Sequence, residues 1–444
     1  MRSRNLFDID MTQYLTEDNN AVAIPIATFD IVVIGAGPAG GHCARLLAKA
    51  GKKVLLVEQH NSFYKNDFSS GGTPIETLAQ FDLPQAVVGS FWHKIIVETT
   101  NLSQAWESSQ TLGAVLSFAK LREFLASEVE RYGSEVWLGY RYIQHCQDDS
   151  QTVVTLKQGS QGKLVKVSTK VLVDATGFSR AVMYTKESDK PDFLTSKGVE
   201  YLIEVEPEVY QKYANSLIFL LGQKWMPKGY SWVFPMEPNR LKVGAGRIYL
   251  DRQTTRHEKP LKGYVELLIN EYIKTTNYKV IDIHGSTLKY NCGLQDVYYR
   301  DNVIAIGDAV STVNCLGGEG IRHGMHCAEI AGKHITKYLD SYNYDFKEYQ
   351  LEMYQVFAAK WNISEKIAIK KYIKDSDEFT DRAISYLKYM KAEDVVDILF
   401  NYKFDKIYKG LGNYFKRKIN LLFERVRISG EKLKRLVKAI ALRG

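Results

Sequence analysis

The stretch from Phe29 to Glu58, FDIVVIGAGPAGGHCARLLAKAGKKVLLVE, leaves the chain few choices of fold. It opens with an apolar run, Ile31 to Ile34, suited to a strand covered on both faces. Gly35, Gly37 and Gly40 follow at G-x-G-x-x-G spacing, and then a helix-period segment with Leu46 and Leu47 on one face. A second apolar run, Val54 to Val57, ends in Glu58. Strand, glycine turn, helix and strand-end acid together form a dinucleotide cradle. Gly35 allows a tight turn, Gly37 lets the backbone approach a pyrophosphate, and Gly40 permits close helix–strand packing. The helix that starts at Pro38 offers the free N–H groups of its first turn, from Ala39 onward, to phosphate, and Ala36 completes the turn. Glu58 falls where a carboxylate would accept hydrogen bonds from ribose hydroxyls. This stretch alone admits either FAD or NAD.

A chain of 444 residues is long for one core, so two or three lobes are expected. No apolar run approaches ~18 residues, which argues against a transmembrane helix. The acidic N-terminal segment, with Asp8, Asp10, Glu17 and Asp18, does not read as a signal peptide and is expected to be a flexible tail. Cys43, Cys146, Cys292, Cys315 and Cys327 are odd in number and lack C-x-x-C spacing. That pattern speaks against a disulfide framework or zinc site and for a reducing, cytoplasmic setting. The formal charge of +8 is concentrated from Lys403 onward, where thirteen Lys/Arg face three Asp/Glu. The rest of the chain is slightly acidic.

Three further stretches carry chemistry. Ser69-Ser70-Gly71-Gly72-Thr73-Pro74 reads as a loop whose backbone approaches something closely, or as an ordinary turn. In Lys170–Arg180, KVLVDATGFSR, an apolar strand ends at Asp174 and Gly177 turns the chain beside it. Read alone, Asp174 is better explained as an N-cap or Asx-turn aspartate than as a ligand. From Val303 a short strand leads to Gly307-Asp308, then to Gly317-Gly318-Glu319-Gly320-Ile321 at the start of a helix. This is a second helix N-terminus arranged to meet a ligand with backbone N–H groups. His323, His326 and Cys327 on that helix lack an i, i+4 histidine pair, so no metal is expected.

Strand patterns at Val136–Ile143, Val153–Leu156 and Leu164–Val167 suggest an antiparallel meander, and four more strands are expected between Tyr201 and Ile248. Tyr230, Trp232 and Phe234 alternate and so share one strand face, as sheet core or as the wall of an apolar substrate site. Val243-Gly244-Ala245-Gly246 lacks a third glycine and a following helix, and reads as strand rather than a nicotinamide loop. From Asp345 onward the pattern is helical. Its last part holds two basic amphipathic stripes, Leu411 to Val426 and Leu433 to Ile440. These suit either an anionic membrane surface or a helical cap; no nucleic-acid reading module is present.

GAGPAG, DATGFSR and GDA, in that order, resemble the p-hydroxybenzoate-hydroxylase-type FAD fold. The resemblance implies FAD rather than NAD. It implies an α/β and α+β architecture: a Rossmann-like FAD-binding domain, an inserted antiparallel-sheet substrate domain and a C-terminal helical region. The expected boundaries are a tail over 1–28, FAD-binding segments over 29–90, 119–190 and 295–340, a substrate sheet over 91–118 and 191–294, and the basic helical region over 341–444. Within that fold, Tyr230-Ser-Trp-Val-Phe-Pro235 with Val243-Gly-Ala-Gly246, and Cys315-Leu-Gly-Gly-Glu-Gly-Ile321, are similar to motifs of the geranylgeranyl reductase family. Ser70 stands where that family usually has cysteine, and Met236 where it has lysine.

The family implies reduction of C=C bonds in an isoprenoid or polyprenyl lipid by reduced FAD. The expected cofactor contacts are the Gly35–Gly40 turn, Glu58, Gly71, Gly72, Asp174, Gly177, Gly307, Asp308, Gly317, Gly318, Gly320 and Ile321. Tyr230, Trp232 and Phe234 are the expected substrate wall. The proton donor stays unassigned, with Tyr230 a nominal choice. Electrons would come from NAD(P)H or from a redox protein, and the basic tail would hold the protein peripherally on a membrane. Three other readings share the fold: a flavin monooxygenase or halogenase, a non-redox polyene cyclase or isomerase, and a membrane-bound protein that keeps FAD without catalysis.

Overall fold

The computed structural model describes residues 25–65, 67, 69–148, 151–159, 162–249, 259–341, 344–373, 376–412, 414 and 417. In chain order the first elements are β1 (Ala27–Ile34), α1 (Pro38–Lys49), β2 (Val54–Glu58), β3 (Gly72–Pro74), α2 (Glu76–Gln80), β4 (Val88–Trp92), β5 (Lys94–Glu98), β6 (Ser103–Glu107) and β7 (Gly113–Leu116). Next come α3 (Phe118–Arg131), β8 (Glu135–Leu138), β9 (Tyr140–Asp148), β10 (Gln151–Gln158), β11 (Leu164–Asp174), β12 (Leu194–Val205), α4 (Pro207–Gln211), β13 (Ser216–Gly222), β14 (Met226–Met236) and β15 (Arg240–Tyr249). The chain continues through α5 (Leu261–Leu267), β16 (Tyr278–Tyr290), β17 (Tyr299–Arg300), β18 (Val303–Ala305), α6 (Ile321–Asp340), α7 (Lys347–Ala368), α8 (Asp377–Leu387) and α9 (Ala392–Leu399).

The apolar runs do what their composition dictates. Ile31, Val32, Val33 and Ile34 are buried, as are Val54 to Val57, because β1 and β2 pair in parallel and need cover on both faces. β1 also pairs in parallel with β11, β11 with β18, and β2 with β8, while α1 packs between α3 and α6. The strand ends that face ligands in such sheets, Ile34, Glu58 and Asp174, therefore lie along one edge. Pairing begins at Ala27 and Thr28, opposite Val167 and Ser168, so the tail expected over 1–28 gives way to sheet before its last residue. Residues 1–24 lie outside the described residues.

A seven-stranded sheet, in the order β16-β12-β15-β14-β13-β5-β6, forms a wall. Its pairings are antiparallel apart from β13 with β5. β7, expected with that sheet, pairs instead with β3 and β4 in a small sheet of its own. The meander expected from Val136 is also rearranged. Gly139, at φ +78°, breaks the run, so that β8 joins β2 in parallel while β9, β10 and the first half of β11 make the antiparallel turn-back. The C-terminal region is helical through α7, α8 and α9, as the sequence suggests. Most of the two basic stripes lies outside the described residues.

Candidate active site

The edge of the parallel sheet, the α6 start and the crevice side of the wall sheet enclose a crevice of about 640 Å³. Its nucleotide end is built by the opening motif. Residue contacts explain the glycines there: a Cβ on Gly40 would lie 1.9 Å from the Gly35 carbonyl oxygen, whereas one on Gly37 would meet nothing within 4 Å. Gly37 is the N-cap of α1, no side chain caps that helix, and its first turn has no acid. Its free N–H groups therefore face the crevice. Glu58 stands at the end of β2, accepting from the Ala36 N–H at 3.2 Å and the His60 N–H at 3.0 Å, and lines the same end. Tyr142 is a lining residue the sequence reading missed; its hydroxyl lies 2.6 Å from His145 Nδ1.

Asp174 does not face the crevice. Its carboxylate accepts from Thr176 N (3.0 Å), Thr176 Oγ1 (2.6 Å), Val182 N (3.1 Å) and Met183 N (2.9 Å), which leaves it saturated. It shapes the turn that places Thr176, Gly177 and Phe178 on the crevice wall. The Asx-turn reading accounts for it. Asp308 does line the crevice; it is half-buried beside Gly320, and desolvation pushes its carboxyl above the usual range. Gly307 lines it too.

The turn from Asn314 to Gly320 carries the start of α6, again uncapped and without an acid in its first helical turn. Gly318, Gly320 and Ile321 line the crevice, whereas Gly317 lies behind them. Three tyrosines from distant parts of the chain fix this turn. Tyr230 donates to the Gly317 carbonyl at 2.7 Å, Tyr372 donates to the Leu316 carbonyl at 2.7 Å, and the Tyr402 hydroxyl fills the space a Gly317 Cβ would need, 2.7 Å from where it would stand. Burial raises the Tyr230 hydroxyl to about 12, helped by Glu319, and its proton is committed to Gly317. Tyr230 is thus a strut and a wall, not a free proton donor.

Glu319 is held within the turn by Arg322, through Nε at 2.9 Å and a second nitrogen at 3.1 Å, with His323 Nε2 at 3.2 Å. Burial works against its charge, but His323 and Arg322 outweigh it and keep the carboxyl down at about 2. Burial lowers His323 itself, while Glu319 pulls the other way. Among the described residues no group of three His, Cys, Asp or Glu side chains could hold a metal ion.

At the other end, Tyr230 and Trp232 face the crevice, with Leu194, Ile248 and Leu288 nearby. Phe234 shares their strand face but sits beneath Gly72, its ring 5.3 Å from that of Phe219. Ser69 and Ser70 line the crevice, and Gly71 and Gly72 stand behind them. Two charged residues escaped the sequence reading. Lys242 donates to the Ser69 carbonyl at 2.6 Å, and Glu200, fully buried, accepts from the Trp232 indole at 2.7 Å. Burial raises the Glu200 carboxyl although Lys242 pulls the other way. Only cross-strand register brings these side chains together, so no local spacing could have flagged them. Met236 packs its sulfur against Gly89, away from the crevice.

The residues present suit FAD: two uncapped helix starts, a fixed strand-end carboxylate and a half-buried Asp308 ring one continuous crevice. Comparison with known proteins agrees. Residues 28–343 match the family described as FAD binding domain. The chain is 28% identical over 340 residues to a digeranylgeranylglycerophospholipid reductase of Haloferax volcanii, spanning 73% of this chain and 80% of that protein. It is 26% identical to a second such reductase, from Methanococcoides burtonii, spanning 81% and 87%. Among solved structures, a geranylgeranyl bacteriochlorophyll reductase-like protein of Thermoplasma acidophilum shares the fold at 18% identity, with a TM-score of 0.74 over 90% of this chain and 99% of that one. A flavin-dependent brominase shares it at 15% identity, with a TM-score of 0.63 over 88% and 100%.

Proposed function

The chain belongs to the FAD-binding-domain family, and on that premise we propose that it reduces C=C bonds of an isoprenoid or polyprenyl lipid. One observation carries the reading: the nucleotide crevice runs without interruption into an end walled by Tyr230, Trp232, Leu194, Ile248 and Leu288. An apolar chain can therefore lie against whatever the crevice holds, shielded from water. The relatives' names point to substrates of that chemistry.

Bound FAD would supply a two-electron carrier able to hand hydride to an alkene carbon. Each part of the protein has a task around it. The α1 start would bind the pyrophosphate, Glu58 the adenosine ribose, and Asp308 the ribityl hydroxyls. The α6 start would stabilise negative charge on the reduced ring, because its free N–H groups carry partial positive charge. Glu319, already neutralised by Arg322, adds little opposing field. Gly71 and Gly72 shape the loop that brings Ser69 and Ser70 to the site.

Electrons reach the cofactor from NAD(P)H or from a redox protein. The basic end of the chain, thirteen Lys/Arg against three Asp/Glu from Lys403 onward, suits peripheral attachment to an anionic membrane in which such lipids reside. Among the described residues no helix is long and apolar enough to cross a membrane. Full-length protein is expected to sediment with vesicles rich in anionic lipid and to be released by salt, since exposed charge pairs are screened. Equal binding to neutral vesicles would count against the basic region.

The deciding experiment is anaerobic. Purified yellow protein, reduced and mixed with polyprenyl lipids, should give product heavier by two hydrogens for each bond reduced. Product of unchanged mass would favour a cyclase or isomerase, and turnover that needs oxygen would favour a monooxygenase or halogenase.

A further inference from the structure

Cross-strand register lines up the crevice-facing side chains of the wall sheet in rows. One row runs from Tyr230 on β14 through Gly246 on β15 and Gly198 on β12 to Ser286 on β16. Two neighbouring strands without side chains leave a trough between Tyr230 and Ser286, and all four residues line the crevice. The next row runs Trp232, Gly244, Glu200, His284. Here the gap left by glycine is filled: a Cβ on Gly244 would lie 2.1 Å from the Trp232 ring. The indole crosses the whole of β15, and its Nε1 donates to Glu200 Oε2 at 2.7 Å. Strands lie about 4.8 Å apart, so two side chains two strands apart meet only over a residue that has none. The trough is open in one row and barred in the next.

Beyond that bond, Glu200 feels the charges of Lys242 and His284. Its second oxygen, Oε1, has no hydrogen-bond partner among the described residues, and the residue is fully buried. A buried carboxyl with one open oxygen is costly, and an apolar side chain would fill the space more cheaply. Resting on the isoprenoid reading above, we propose that the Trp232–Glu200 bar is the end-stop of an apolar-chain channel, and that Glu200, by fixing the indole across Gly244, sets how much chain the channel admits. Glu200 is in this sense a positioning residue acting through Trp232.

The test uses oxidised, FAD-loaded, full-length protein and isoprenyl alcohols of increasing length, with binding followed by the flavin absorption band. For the wild type, affinity should rise with length and then level off. In Glu200→Ala the levelling point should move to longer alcohols, which gain about tenfold in affinity for the methylenes newly buried. Glu200→Gln keeps an acceptor for the indole and should behave as wild type. Trp232→Phe, which removes the bar from its other end, should repeat the Glu200→Ala result and serves if that variant fails to fold. Gly246→Ala should move the limit the other way, because its methyl would stand in the trough in ordinary contact with Trp232 at 3.5 Å. An unmoved limit in both Glu200→Ala and Trp232→Phe, or a Glu200→Gln limit shifted as far as that of Glu200→Ala, overturns the end-stop alone. If no isoprenyl alcohol binds the wild type, the substrate class falls and the end-stop with it.

Discussion

Glu319 shows how one residue ties acidity to the integrity of the site. Its carboxyl sits at about 2 in the folded chain, against an ordinary value of 4.5. A depressed pKa gives stability that is complete above the unfolded value and lost as pH falls through the folded one. The stabilisation is therefore present above about pH 5 and drains away toward pH 2. Wild type and Glu319→Gln should differ widely in urea midpoint at pH 7, and the gap should close as pH falls to about 3. A constant gap would mean that the pair with Arg322 does not carry the effect. Glu58 makes a second test at this scale. Glu58→Ala strands the Ala36 N–H and removes an acceptor at the nucleotide end, a loss of about 1–3 kcal/mol, so flavin should bind about tenfold more weakly in equilibrium dialysis.

Elements built from local spacing were legible in the sequence, and contacts between distant elements were not. β1, α1 and β2 follow from the apolar runs and glycine spacing alone, and so do Asp308 and the uncapped start of α6. Gly40→Ala tests that local logic. With only 1.9 Å between the new methyl and the Gly35 carbonyl, α1 must shift, and the thermal midpoint should fall by an amount equivalent to about 1–3 kcal/mol. Val243-Gly-Ala-Gly246 was legible as strand, but its reason was not. The glycines serve a tryptophan on the next strand, which only the β14–β15 register reveals. The family resemblance made Asp174 a cofactor contact, whereas its own strand-end setting suggested a turn, and its partners are residues two, eight and nine positions onward. The break of β8 from β9 hung on the backbone of Gly139, which the alternating pattern around it concealed.

At the scale of the whole molecule, the last described helices belong to the site. Arg322, while holding Glu319, donates to Asn401 at 2.9 Å and to the Phe400 carbonyl, and Asn401 in turn donates to Glu76 at 3.1 Å. One side chain thereby joins the α6 start to the segment after α9. The Arg322–Glu319 pair is largely out of water while the outer bonds are part-exposed, so removing Arg322 costs on the order of 2 kcal/mol. Arg322→Met should open the region after α9 to limited proteolysis, and added FAD should restore protection only partly. Unchanged cleavage would show that α9 is held by its apolar face alone.

The three tyrosines on the Asn314–Gly320 turn also impose an order on biosynthesis. Tyr230 is made before the turn it braces, but Tyr372 and Tyr402 leave the ribosome long after it. A nascent chain that has just released α6 has its first nucleotide cradle complete and its second one braced by Tyr230 alone. Tight capture of the flavin is thus deferred until synthesis has passed Tyr402, so truncated translation products should emerge colourless.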